Sequence, residues 1–167
     1  FGNLPWRNVH INRDMEKILH CPTVVENDAK LAALSEAMLL KGHYSRMLYI
    51  TVSTGIGYGL VVDGAIDTNI GDGGGRVMML EHKGKHTPWE DFASGKAIVE
   101  RYGKKAAEID DENTWKLIAY DLARGIIELI ALTLPEVIVF GGSVGNQLPK
   151  YKSYLVDELR KYEMPFV

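Results

Sequence analysis

The stretch Leu48-Tyr-Ile-Thr-Val-Ser-Thr-Gly-Ile-Gly-Tyr-Gly-Leu-Val-Val-Asp-Gly64 constrains the fold of this chain more than any other. Two apolar, β-branched runs, Leu48–Val52 and Leu60–Val62, flank Ser53, Thr54 and three alternating glycines. Such a pattern predicts a hairpin whose tip presents bare backbone N–H groups beside two side-chain hydroxyls. A concave run of N–H donors suits phosphate, because it offers partial positive charge without bulk. The same glycines would equally serve a hairpin that only needs positive φ in its turn. A dinucleotide-binding turn is a poor match, since that turn runs from strand into helix as Gly-x-Gly-x-x-Gly.

The rest of the chain supplies one core. With 167 residues, 46% of them apolar and 25% charged, it has enough hydrophobic content for a single substantial core. A formal net charge of −3 and the lack of long like-charge runs give no support for a nucleic-acid surface. The single cysteine, Cys21, excludes an internal disulfide and any cysteine-rich zinc cluster, and before Pro22 it reads as a small buried apolar residue. No apolar run approaches the roughly 20 residues that cross a membrane, and no signal peptide is visible. A cytoplasmic, reducing setting is the default expectation.

In chain order, Asn12 is expected to cap a short helix carrying Met15, Ile18 and Leu19 on one face, ended by Cys21-Pro22. Thr23–Glu26 reads as a short buried strand. Asn27-Asp28 then opens a helix over Ala29–Lys41, with Gly42 as its stop. After the hairpin come a third short strand near Ala65–Asp67 and an unhelical glycine loop at Asp72–Gly75. A further strand is expected at Val77–Leu80, and an irregular segment at Glu81–Pro88. Ser94 caps a helix running through Ile98, Val99 and Tyr102. A deeply packed helix is expected over Glu112–Leu134, a fully buried strand over Glu136–Phe140, and a last helix from Pro149. This order predicts an α/β fold, a mixed sheet covered by helices, in which ligands gather where strand ends meet loops.

Five segments then carry a family resemblance: Asn3-Leu-Pro-Trp6, Val25-Glu-Asn-Asp-Ala29, Thr51-Val-Ser-Thr-Gly-Ile-Gly57, Glu90-Asp-Phe-Ala-Ser-Gly95 and Val137-Ile-Val-Phe-Gly-Gly-Ser-Val-Gly145. Their order and spacing resemble the ROK family of sugar kinases and repressors, within the actin-like ATPase superfamily with its ribonuclease-H-like fold. The resemblance implies that residues 1–45 hold the sugar-binding loop and the end of the amino-terminal lobe. Residues 46–167 would then be a carboxy-terminal lobe, expected to be incomplete because the family continues beyond the last helix.

The resemblance also assigns roles. It implies ATP and Mg2+ as cofactors, a hexose as substrate, glucokinase-like chemistry, and a homodimer as the oligomer to test. Asn27 would bind a sugar hydroxyl, and Asp28 would be the catalytic base, a task that suits a carboxylate. Either residue alone would equally serve as a helix cap. Ser53, Thr54, Gly55 and Gly57 match the superfamily's second phosphate loop, Gly141, Gly142 and Ser143 its adenosine motif, and Glu90 a sugar-binding carboxylate.

Several departures bear on these roles. Family kinases carry Gly-Glu-Ile-Gly-His and then a cysteine zinc motif, where this chain has Gly74-Gly-Arg-Val-Met-Met79 and no such cysteines. No structural zinc is expected. Glu81 and His82 lie a few residues on, as substitute sugar ligands or as a surface pair, and Arg76 is either charge-paired or close to an anionic substrate. The first phosphate loop, Asp-x-Gly-x-Thr, does not occur, so the fragment alone is expected to be inactive. The competing expectation is the sugar-sensing domain of a ROK repressor, with DNA-binding helices upstream.

Overall fold

The computed structural model describes Pro5 and residues 7–162. Asn3, Leu4 and Trp6 of the first matching segment lie outside the described residues. The chain begins with α1 (Ile11–Leu19) and α2 (Asp28–Leu39), followed by β1 (Arg46–Val52), β2 (Ile56–Val62) and β3 (Ala65–Ile66). Next come α3 (Gly74–Val77), β4 (Met79–His82), β5 (Lys85–Pro88), α4 (Trp89–Ala93) and α5 (Gly95–Tyr102). After a 3-10 turn at Ala106–Glu108 the chain forms α6 (Glu112–Thr133), β6 (Val137–Gly141), α7 (Gly142–Gly145) and α8 (Leu148–Arg160).

The main sheet runs in the order β3-β2-β1-β6, with β1 antiparallel to β2 and parallel to β6. Alternation along β1 divides its side chains between two layers. Leu48, Ile50 and Val52 join the large core with Trp115, Ile118, Leu122 and Ile126 of α6 and Leu155 of α8. Met47 on the other face meets Ala33 of α2 and Val61 of β2. The sheet therefore lies between α2 and the α6–α8 layer. Among the described residues, no helix is long and apolar enough to cross a membrane.

The glycines of the hairpin are not there for positive φ. Gly55, Gly57 and Gly59 do not adopt the left-handed conformation. Gly57 and Gly59 instead let α2 lie directly on β2. A Cβ at Gly59 would come within 2.8 Å of Lys30 Cα, and one at Gly57 within 3.0 Å of Ala29 Cβ. This close approach brings the start of α2 to the tip of the hairpin.

Local expectations fail where pairing or packing overrides pattern. Thr23–Glu26 is not a strand: Val24 is 89% exposed, and no strand lies alongside among the described residues. The first helix starts at Ile11 after His10, leaving Asn12 inside it rather than at its cap. Cys21 is exposed, not buried. The glycine loop continues into the helical turn α3, and Glu81–Pro88 is part of the β4–β5 hairpin, turned at Lys83 and Gly84, both with positive φ. Strand β6 is half-buried rather than fully buried, because only β1 pairs with it among the described strands.

Candidate active site

Helix α2 opens at the hairpin tip with Asn27 as its N-cap. Asn27 Oδ1 accepts the Ala29 N–H at 2.9 Å, and Asp28 Oδ1 lies at the same distance from that N–H. A carboxylate in the first turn also meets the positive end of the helix dipole. Capping therefore occupies one oxygen of each side chain. The Asn27 amide NH2 and Asp28 Oδ2 are left over for another partner.

Glu90 reaches the same place from α4. Its neighbour Trp89 is fully buried, donates its indole N–H to Asp121 O at 3.1 Å, and rests on Gly125, where any Cβ would overlap the ring. Arg101 bonds Asp121 and, at 3.0 Å, Phe92 O, which fixes the other end of α4 to α6. From this anchored helix Glu90 Oε2 accepts the Ile56 N–H at 3.3 Å. A Cβ at Gly55 would stand 2.8 Å from that oxygen, so glycine there keeps room for the carboxylate.

These groups line a cleft of about 290 Å³. Its walls include Asn27, Asp28, Thr51, Ser53, Gly55, Gly57, Glu90 and the glycines at 71, 73 and 74. Two carboxylates, an amide and two hydroxyls on a backbone-rich floor suit a polyhydroxylated ligand, whose O–H groups donate to carboxylates and accept from the amide.

A second cleft, of about 510 Å³, opens on the other side of the turn. Ser53, Thr54 and Ser143 offer hydroxyls, Lys96 and Lys105 cations and Glu100 a carboxylate 3.8 Å from Lys96, while Val99, Ala106, Ala107 and Val144 form an apolar wall. A third, of about 380 Å³, joins Thr54, Lys96 and Glu90. Ser53 thus lines both the first and the second of these clefts, and the backbone holds it in place: Gly95 N–H donates to Ser53 O at 2.6 Å. Gly141 and Gly142 sit behind Ser143, where a Cβ would strike Tyr49 and Val52 respectively. They shape the cleft wall without lining it.

The profile of the ROK family matches residues 1–165. The chain belongs to the ROK family. Among ROK relatives, an N-acetylmannosamine kinase of Escherichia coli O1:K1 is 34% identical over 87% of this chain and 59% of its own length. A ROK hexokinase from Thermus thermophilus superposes with a TM-score of 0.72 at 29% identity, covering 91% of this chain and 59% of that one. A ROK transcriptional regulator, homologous to the E. coli MLC protein, gives 0.77 at 20% identity, covering 93% and 48%. The chain spans between 52% and 59% of the length of such curated relatives. Its α/β fold is that of the actin-like ROK sugar kinases, and the ROK regulator shares it.

Asn27, Asp28, Glu90, Ser53, Gly55 and Gly57 meet at one cleft, and Ser53, Thr54 and Ser143 at the other. Glu81 and His82 line neither. Glu81 bonds the Gly84 N–H at 2.5 Å and approaches Arg124 at 3.8 Å. His82 stacks on Phe92 with centroids 4.3 Å apart and meets Arg124 through Nδ1 at 3.2 Å. Burial pushes the His82 imidazole below its usual range, with Arg124 and Lys83 adding to that and Asp121 opposing it. Sequence reasoning missed Thr51, Lys96 and Lys105. Lys96 had a signal, since it follows the Ser94-Gly95 cap; Lys105 had none before its loop was folded against α7.

Proposed function

We propose that this chain carries the sugar site and part of the nucleotide site of an ATP-dependent hexose kinase. The carrying observation is that Ser53 lines both the carboxylate-bearing cleft and the apolar, lysine-bearing one. Asn27 and Glu90 hold sugar hydroxyls. Asp28 takes the proton of the attacking hydroxyl as its oxygen bonds to the terminal phosphorus of ATP and ADP leaves. Phosphoryl transfer needs chiefly an oriented nucleophile and stabilised phosphate charge, and both are available across this turn.

The second cleft fits a nucleotide: its apolar wall suits a base, and its hydroxyls and lysines suit phosphates. Magnesium would neutralise phosphate charge. It is held through substrate phosphates with one or two carboxylates, so it needs no protein cage. The likeness to the regulator concerns the fold alone. The kinase reading is favoured because Asn27 already caps α2, so capping does not require Asp28.

The test is phosphoryl transfer by the protein encoded by the complete gene, supplied with γ-labelled ATP and a panel of hexoses and N-acetylhexosamines. Label appearing on at least one sugar is the expected result. Sugar binding without any transfer would favour the sensing domain.

A further inference from the structure

Lys30 lies two residues after Asp28 on α2, yet its side chain is only 2% exposed. Its ammonium donates to Thr68 O at 3.1 Å and pairs with Asp72 Oδ1 at 2.8 Å, with Glu26 Oε1 at 3.8 Å. A buried ammonium is costly unless paired and hydrogen-bonded, so these acceptors and Lys30 hold one another in place.

The acceptors do not line the carboxylate-bearing cleft, but each lies close in the chain to residues that do, in two different segments. Glu26 Oε1 also accepts the Asn27 N–H at 2.8 Å, so it fixes the residue that opens the Asn27–Asp28 wall. Thr68 and Asp72 belong to the 68–74 loop, which brings Gly71, Gly73 and Gly74 to the cleft lining. That loop is pressed onto the lysine. A Cβ at Gly71, where φ is +101°, would lie 3.4 Å from Lys30 Cε and collide with Tyr58 O. Asp72 reaches the buried lysine from the surface, its own side chain 79% exposed.

We propose that Lys30 is a positioning residue for sugar binding: it clamps the 68–74 loop to the Glu26–Asp28 segment and so fixes the width of the cleft. The inference rests on the sugar-kinase reading for what fills that cleft. Lys30 itself does not line it. The nucleotide cleft is built from α5, the 3-10 turn and α7, across Ser53, and is independent of this clamp.

Two variants of the complete protein test it, Lys30→Met and Asp72→Asn. Lys30→Met keeps most of the stem and removes the ammonium. Sugar KM should rise about tenfold or more, as expected when groups are misplaced by a fraction of an ångström to an ångström, while nucleotide KM stays unchanged. Asp72→Asn breaks the pair from the solvent side, where folding is not at stake, and should raise sugar KM in the same direction by less. A purely structural role would lower the active fraction, and with it kcat, leaving both KM values alone. That result, or an unaltered sugar KM in Asp72→Asn, overturns the proposal. If the unsubstituted protein shows no heat of sugar binding by calorimetry, the sugar-kinase reading fails first and this inference falls with it.

Discussion

Two polar clusters lie on either side of α4, and they use similar side chains to different ends. In the cleft, Asn27, Asp28 and Glu90 each give one oxygen to a backbone N–H and keep the remainder free. At the β4–β5 hairpin, Glu81 and His82 spend their polar atoms and ring faces on Gly84, Arg124 and Phe92. Arg124 itself stands over the Phe92 ring at 5.0 Å. The first cluster is oriented by the backbone and keeps polar atoms free, which is what a ligand needs. The second is satisfied by its own neighbours and serves to hold a hairpin on α6. Residue type alone does not separate the two, and what each oxygen is already bonded to does.

The largest expected effect comes from the cleft. Asp28→Asn keeps the shape and the capping oxygen but cannot accept the proton, so kcat should fall by ~10²–10⁴ with sugar affinity little changed. Normal turnover would reduce Asp28 to a helix terminus and erase the contrast. Next is Glu90→Gln, which retains an acceptor for Ile56 N–H but weakens a charge-assisted bond to substrate. Sugar KM should rise about tenfold, since hydrogen bonds to charged groups contribute ~1.5–3 kcal/mol. An unchanged KM would move the sugar away from α4.

On the hairpin side the effects should be small. Glu81→Gln should leave sugar KM within about twofold, as exposed ion pairs contribute ~0–1 kcal/mol to stability. A tenfold loss would place the hairpin in the site after all. His82 sharpens the contrast through pH. Its folded pKa is depressed, so the unfolded chain binds more protons as pH drops below the ordinary imidazole value of about 6.5. The stability it contributes is complete above that value and is lost as pH falls through the lowered folded pKa. The melting temperature should therefore decline between about pH 7.5 and pH 5.5, and less steeply in His82→Gln. Equal slopes in the two proteins would mean that burial of the ring is not what the hairpin relies on.

Much of the architecture was legible because local signals agreed with packing. The apolar continuity of residues 112–134 became α6, Ser94 capped α5, and Ser53–Gly55 joined β1 to β2. The strand expected at Thr23–Glu26 failed because β-branched composition reports propensity and not the presence of a partner strand. At Lys83-Gly84 a lysine in the left-handed region made the turn, without the Asn-Gly or Asp-Gly pattern that signals one. The convergence of Asn27, Asp28 and Glu90 followed only from the family motifs, since their distance in sequence hides it. Lys30 was invisible because a lysine on a helix reads as solvated, and only the acceptors from residues 68–72 reveal it as buried.

The claim that sugar and nucleotide meet across the Ser53 turn is tested most directly by amide hydrogen exchange on the complete protein, with a bound hexose and, separately, a non-hydrolysable ATP analogue. Each ligand alone should slow exchange at Thr54–Gly57, and neither should slow it at Lys83–Lys85. Protection confined to the hairpin at Lys83–Lys85, or protection of Thr54–Gly57 by neither ligand, would contradict it.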